Sequence, residues 1–314
     1  MHKTTDLPAG EDLLDVVVIG AGPAGLQAAL TLARIHRSAL VLDSGTYRNA
    51  RAAHMHNVAT HDGRVPAQWR EAARAELAAY DTVSVRDVAA TEVVARDGSF
   101  VVGTADGDPL RARAVLLATG LRDVLPDVPG LAQLWGTVAF VCPFCHGHEL
   151  AGRTVVVQGG PSAGHPARLM SGIAGRVVVV TDGHDLAPQV SAELAAAGVE
   201  VLEGRVSELE PDGDGAVVVL DSGQRVEAAG FLVRAAFEQS APFAAQLGLT
   251  LLPSGCVEVD AFGRTSLPGV YAAGDLAHTA AFPMPMASVV QAAAAGQLAA
   301  SGAIMGLMVR EQAA

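Results

Sequence analysis

The sequence predicts an α/β fold made of two units, each a parallel βαβ sheet followed by a β-meander. Three observations carry this. A short apolar strand runs into a glycine-rich turn and a helix at Asp15 and again at Thr154, and turn-punctuated β-rich segments follow each copy. The third observation is balance: of 314 residues, 50% are hydrophobic and 17% charged, enough to fill two cores.

The first unit opens on Asp15-Val-Val-Val-Ile19, a β-branched run that reads as a buried parallel strand. A helix is expected from Ala24 to Arg34, with Leu26, Ala29, Leu30 and Ala33 at helical spacing, then a strand from Ala39 to Asp43. The turn that joins the first strand to the helix is Gly20-Ala21-Gly22-Pro23-Ala24-Gly25, a G-x-G-x-x-G in its strand-to-helix setting. Gly20 permits the tight turn, Gly22 lets backbone approach a pyrophosphate, and Gly25 lets the helix pack on the strand. The helix N-terminus then faces the phosphates. Asp43, 23 residues after Gly20, stands where a carboxylate accepts hydrogen bonds from a ribose. The units therefore read as Rossmann-like nucleotide-binding domains. Two later segments point to FAD. Ala118-Thr119-Gly120 ends the strand at which the chain leaves the first domain. Val270-Tyr-Ala-Ala-Gly274-Asp275 is an apolar strand whose Gly274 admits close backbone approach and whose Asp275 can bond ribityl hydroxyls.

Residues 82–118 read as short β-runs broken at Asp97-Gly98 and Asp106-Gly107, with a last strand from Arg113 to Thr119. The second unit starts at Thr154-Val-Val-Val157. It continues through glycines, a helix from Ala163 to Ile173 and a strand from Arg176 to Thr181, and ends in a β-meander over 206–233. The chain beyond about Ala241 is too short for a third domain and is expected to return to the first.

A net charge of -12 argues against nucleic acid or an anionic membrane as the partner. Met1 to Glu11 is polar and lacks the apolar run of a signal peptide, which makes the cytoplasm the expected compartment. Between Asp275 and Arg310 there is no Asp, Glu, Lys or Arg. That stretch is long enough to span a membrane, but its prolines (Pro283, Pro285), its glutamines (Gln291, Gln297) and its richness in alanine read as a buried helix against a cofactor.

The three cysteines do not make a secreted disulfide framework. Cys142-Pro143-Phe144-Cys145 is C-x-x-C, the spacing of a reversible disulfide within one turn. The competing reading is half of a zinc site, but no second C-x-x-C or Cys-His pair completes four ligands, so no metal is expected. Cys256 stands alone and reads as a buried filler. His54, His56 and His61 form a histidine-rich loop.

The order G-x-G-x-x-G, A-T-G, C-x-x-C, second glycine-rich βαβ and G-D resembles the low-molecular-weight thioredoxin reductases over roughly Asp15 to Gly302. Gly45 to Asn49, which includes Arg48, follows Ser44 and, like Asp62-Gly63, looks like that family's flavin-flanking segments. Gln291-Ala292 looks like its Gln-Ala pair beside the flavin ring. The resemblance implies an FAD domain over 12–120 and 243–314, an inserted NAD(P)-type domain over 121–242 carrying the C-x-x-C, and a homodimer. It implies that Cys145 lies against the flavin and that Cys142 exchanges with substrate. The family has an aspartate after the second cysteine as acid/base; here the position is His146, a competent proton acceptor near neutral pH.

The chain departs from the reductases at the second glycine motif. The family's Gly-x-Gly-x-x-Ala becomes Gln158-Gly159-Gly160-Pro161-Ser162-Ala163, and the cationic element that holds the NADPH 2′-phosphate becomes Thr181-Asp182-Gly183-His184-Asp185. Both changes are expected to weaken NADPH binding. Cys-Pro-Phe-Cys-His-Gly is similar to the active-site run of the thioredoxin reductase-like dithiol oxidases of natural-product pathways, which close the disulfides of compounds such as holomycin and gliotoxin. That resemblance implies a small-molecule dithiol as substrate and O2 as acceptor. An NADPH-dependent thioredoxin or disulfide reductase, a non-catalytic flavin redox sensor and an enzyme with ferredoxin as donor stay open as alternatives. The long uncharged connector Leu276 to Val290, with His278, Phe282, Met284 and Met286, is suited either to line an apolar pocket or to serve as a dimer-interface or core segment.

Overall fold

The computed structural model describes residues 13–160 and 162–313; the polar segment 1–11 and Pro161 of the second glycine motif lie outside the described residues. The chain divides into two compact units. One holds the described residues up to Arg48, Ala67–Arg122 and the described residues from Glu238 on; the other holds Asn49–Pro66 and the described residues of Asp123–Phe237.

The first unit is built on β1 (Leu14–Ile19), α1 (Pro23–Ala33), β2 (Ala39–Leu42), α2 (Pro66–Leu77), β3 (Val83–Arg86), β4 (Ala90–Arg96), β5 (Ser99–Thr104) and β6 (Leu110–Leu117). The sheet order is β3-β2-β1-β6-β5-β4, and strand Val270–Ala272 also pairs with β6. Strands β3, β2, β1 and β6 run parallel, as does Val270–Ala272, while β4 and β5 form an antiparallel flap. The meander read over 82–118 is thus corrected at its start. Val83–Arg86 is a parallel edge strand, reached through α2 as its crossover. That helix escapes a first reading because its surface is polar; Trp69, Ala73 and Leu77 turn inward onto the core.

Val16, Val17 and Val18 of β1 and Leu116 and Leu117 of β6 are fully buried, as continuous apolar runs in a covered parallel sheet must be. The C-terminal helix Val289–Ala313 buries Ala299, Ala300, Ala303 and Leu307 in this same core. It is long and apolar enough to cross a membrane by composition, but its small residues serve packing: Gly296 lies against the Ala24 backbone of α1.

Gly25 lies so close to the Gly20 carbonyl that a Cβ there would run into it. Gly25→Ala is therefore expected to destabilise the unit by about 3 kcal/mol and to lower the flavin content of the purified protein. Thermal melting and the visible spectrum check this; a variant that melts and binds flavin like the parent would show the contact to be slack.

The second unit has a parallel sheet in the order Glu200–Leu202, Arg176–Val180, Thr154–Gln158, Gly230–Leu232, Ala139–Phe140. An antiparallel meander is formed by Val206–Asp212, Gly215–Leu220 and Arg225–Ala228. Gly230–Leu232, expected within the meander, joins the parallel sheet beside Thr154–Gln158 instead. Residues 49–66, which the sequence groups with the first domain, cluster with this unit. Arg51 donates from its guanidinium to the Ala132 carbonyl at 2.8 Å and packs against Gly136, contacts between positions far apart in sequence.

Candidate functional site

In the first unit, three strand ends meet at one edge of the sheet, the carboxyl edge where ligands bind in open α/β folds. Gly20 donates to Leu42 O (2.9 Å), Ala118 to Ile19 O (2.8 Å) and Ala273 to Leu117 O (2.9 Å). The Gly20 turn, Ala118-Thr119-Gly120 and Gly274-Asp275 are thereby brought side by side. Gly20 has φ +110°, and a Cβ on it would strike the Ala118 carbonyl, so only glycine fits. Gly22 caps α1 without a side-chain hydrogen bond, Pro23 follows at the first helical position, and the first turn has no acidic residue. The space in front of Gly22 is open. Free helix N–H groups facing open space fit a pyrophosphate.

Asp43, at the end of β2, is 4% exposed and already engaged. Its carboxylate accepts from the Gly45 N–H (2.9 Å), the Tyr47 hydroxyl and Arg74 (3.0 Å). Arg70 lies over the Tyr47 ring at 3.7 Å, and burial with the neighbouring Asp43 carboxylate pushes the Tyr47 phenol up to about 12, so it stays a donor. The sequence reading missed Tyr47, Arg70 and Arg74. The signal was there in Arg70 and Arg74, one turn apart on α2. Ser44 is exposed and accepts from the Thr46 N–H at 3.4 Å. Asn49 falls in the segment that clusters with the second unit, where its carbonyl accepts from the Ala52 N–H at 3.3 Å.

Asp275, expected to face ribityl hydroxyls, pairs with Arg48 at 3.0 Å. Gly274 sits so close to Ala24 and Ala292 that a Cβ would stand 3.0 Å from one and 3.8 Å from the other. A cavity of about 230 Å³ gathers Gly274, Asp275, Gln291 and Ala292 with His278, Phe282 and Met286 of the uncharged connector. Cys256 is fully buried beneath it; burial pushes its thiol up, and it donates to the Asp275 carbonyl at 3.7 Å.

In the second unit, Cys142 and Cys145 form a disulfide, with Cα atoms 5.3 Å apart, on the one-turn helix Pro143–His146. Cys142 is the N-cap and Pro143 the first helical residue. Phe144, between the cysteines, is 66% exposed. The His146 ring stacks on Phe140 at 4.7 Å between centroids, and its Nδ1 is buried with no hydrogen-bond partner. Burial lowers its proton affinity, opposed by the Glu149 carboxylate and reinforced by His56. His146 is therefore a neutral imidazole at neutral pH. Among the described residues, no group of three or more His, Cys, Asp or Glu is placed to hold a metal ion.

The ligand end of the second βαβ is closed by its own side chains. Gln158 is 4% exposed. Its Nε2 donates to Asp182 at 2.8 Å, and its Oε1 accepts from the Arg234 N–H at 2.9 Å. Asp182 also accepts from the Val206 N–H at 3.1 Å. It was expected to repel a 2′-phosphate from the surface; instead it is tied inward, and Asp185 alone of the two is exposed. The Arg234 side chain lies across Gly160, where a Cβ would stand 2.9 Å from its Cδ, and reaches His184 at 3.0 Å. The Arg234 guanidinium thus occupies the space over Gly160.

A nucleotide edge of this form in one unit and a one-turn disulfide in the other are the working parts of a flavin-dependent disulfide oxidoreductase. Residues 14–297 match the family described as pyridine nucleotide-disulphide oxidoreductase, and the chain belongs to it. It is an FAD flavoprotein with a thioredoxin reductase-like fold. It is similar to the thioredoxin reductase sirT of Leptosphaeria maculans, at 36% identity over 92% of this chain and 93% of that protein. It is likewise similar to the thioredoxin reductase aclD of Aspergillus oryzae, at 36% identity over 96% of this chain and 98% of that protein. The crystal structure of HlmI superposes with a TM-score of 0.88 at 34% identity, covering 98% of this chain and 96% of that one.

Proposed function

We propose that this chain is an FAD-dependent dithiol oxidase that closes an intramolecular disulfide in a small natural-product dithiol, with O2 reduced to H2O2. The observation that carries this reading is the closed ligand end of the second βαβ: Gln158 bridged to Asp182 and Arg234, and the Arg234 side chain over Gly160. With that end unsuited to NADPH, the thiol substrate serves as the electron source.

A substrate thiolate attacks Cys142 Sγ, breaking the Cys142–Cys145 bond and leaving Cys145 as thiolate. The second substrate thiol loses its proton, attacks its partner sulfur in the mixed disulfide and releases Cys142, so that the product leaves with a new S–S bond. His146, neutral and beside the pair in sequence, accepts the thiol proton. FAD, when bound, would supply the two-electron acceptor for the reduced cysteine pair, with O2 as the final acceptor, giving H2O2. The first-unit residues that would hold FAD are Gly20, Gly22, Pro23, Ala24, Gly25, Asp43, Ser44, Arg48, Ala118, Thr119, Gly120, Gly274, Asp275, Gln291 and Ala292. The exposed Phe144 ring favours an apolar, uncharged substrate at the disulfide. By family resemblance the enzyme works as a homodimer in the cytoplasm.

The test is anaerobic mixing of the yellow protein with NADPH, and separately with dithiothreitol, while flavin absorption is followed. Bleaching by the dithiol alone, with colour and H2O2 returning in air, is expected. Rapid bleaching by NADPH would overturn the reading and restore the reductase, a reading the names of the sirT and aclD relatives favour. No bleaching by either would favour a redox sensor without turnover.

A further inference from the structure

Dithiol oxidation releases two protons for every two electrons, and His146 is a poor place to leave one. Its ring is stacked on Phe140, its Nδ1 is buried without a partner, and burial disfavours its cation. The protonated ring needs a counter-charge and an exit. Both stand in the same unit. Glu149 follows His146 by one turn, in the 3₁₀ turn His148–Leu150, and its carboxylate favours the His146 cation. His56, from the segment 49–66 that packs with this unit, stands between two carboxylates: its Nε2 is 3.6 Å from Glu149 and its Nδ1 is 3.5 Å from Asp62. Asp62 is held in place by the Asn57 N–H at 2.7 Å, and its side chain is 67% exposed. The groups thus link a buried base to solvent in alternating basic and acidic steps, with the Glu149 side chain 48%, that of His56 24% and that of Asp62 67% exposed.

We propose that Glu149 and His56 form the proton exit of the active site. Glu149 stabilises protonated His146, and His56 relays the proton from there to Asp62 and water. This rests on the dithiol-oxidase reading and adds a role for the histidine-rich loop. Both are positioning and relay residues that act through His146; neither touches the cysteines. The charged and titratable groups facing the path are few. Glu149 and His56 act on His146 through their charges; Asp62 and Glu149 lie against His56, with the His54 ring 6.3 Å away; and His148 also acts on Asp62.

The test uses the FAD-loaded protein and dithiothreitol, reading the anaerobic rate of flavin bleaching against pH and buffer concentration. Glu149→Gln is expected to move the acidic limb of the pH profile toward lower pH, because His146 without the Glu149 carboxylate holds its proton less well. It should also slow bleaching at neutral pH about tenfold, the weaker base and the lost exit acting together. His56→Gln is expected to make the rate depend on buffer concentration, with added imidazole restoring it. Asp62→Asn, on the exposed end, should show the same dependence more weakly, and it keeps the proposal testable if His56→Gln loses its fold. Wild-type rates and profiles in all three variants would overturn the proposal. So would slow variants that imidazole does not rescue and whose pH profile is unmoved, since those would mark structural roles. A wild-type protein that dithiothreitol fails to bleach would overturn the oxidase reading itself, and the relay with it.

Discussion

Replacing Cys142 or Cys145 by serine is expected to abolish dithiol turnover while the protein stays yellow. The chemistry needs a bond that both sulfurs share: substrate thiolate can enter only by breaking the Cys142–Cys145 disulfide, and electrons can leave only when the second cysteine is displaced. Serine keeps the size of the side chain but neither accepts thiolate attack nor stores electrons. The glycine turn and the α1 N-terminus lie in the other unit, so the substitutions leave the nucleotide edge intact. The two variants should also differ. With Cys145 gone, Cys142 keeps a free thiol and should trap an oxidised substrate as a stable mixed disulfide, visible by intact mass; with Cys142 gone, no such adduct should form. Full rate in either variant would end the disulfide mechanism.

The second large effect is expected at His146. His146→Ala should slow bleaching of the flavin by a dithiol about a hundredfold, the usual worth of a positioned general base. The sign of the pH dependence follows from the environment. Burial lowers the proton affinity of His146 below the ordinary histidine value, so the neutral form that accepts a proton persists at pH values where an exposed histidine is already charged. The rate should therefore hold as pH falls through about 6.5 and drop only at more acid pH, as the lowered pKa is crossed. The alanine variant should lose that acid limb along with its rate. Unchanged kinetics would make His146 a packing partner of Phe140 and nothing more.

Much of the architecture was legible because it rests on local chemistry. A β-branched run before Gly20 buries as a strand, Pro23 starts a helix, and C-x-x-C closes within one turn; each needs only neighbours in sequence. Gly20, Ala118 and Gly274 also reach one edge, as strand ends of a parallel sheet must. Other features were not legible. α2 has a polar surface and shows only a thin apolar stripe, so both the crossover and its Arg70 and Arg74 went unread, and with them the partners of Asp43. Asp275 carried the right chemistry for a ribityl hydroxyl, but its pairing with Arg48 joins positions that only the fold brings near.

By itself the sequence determined the class of this protein: two nucleotide-type units, a glycine turn between strand and helix in the first and a one-turn disulfide in the second. Those are properties of residue type and short spacing. Only the tertiary structure decided what the departures do. Gln158 reads in sequence as a missing glycine; in the fold it is a bridge to Asp182, 24 residues on, and to Arg234, 76 residues on. His56 reads as one of three loop histidines; in the fold it stands between Asp62 and Glu149 in the unit that carries the disulfide. A side chain's partner across such distances is set by packing, since hydrogen bonds and charges act only over a few ångströms and local sequence does not encode which distant group arrives there.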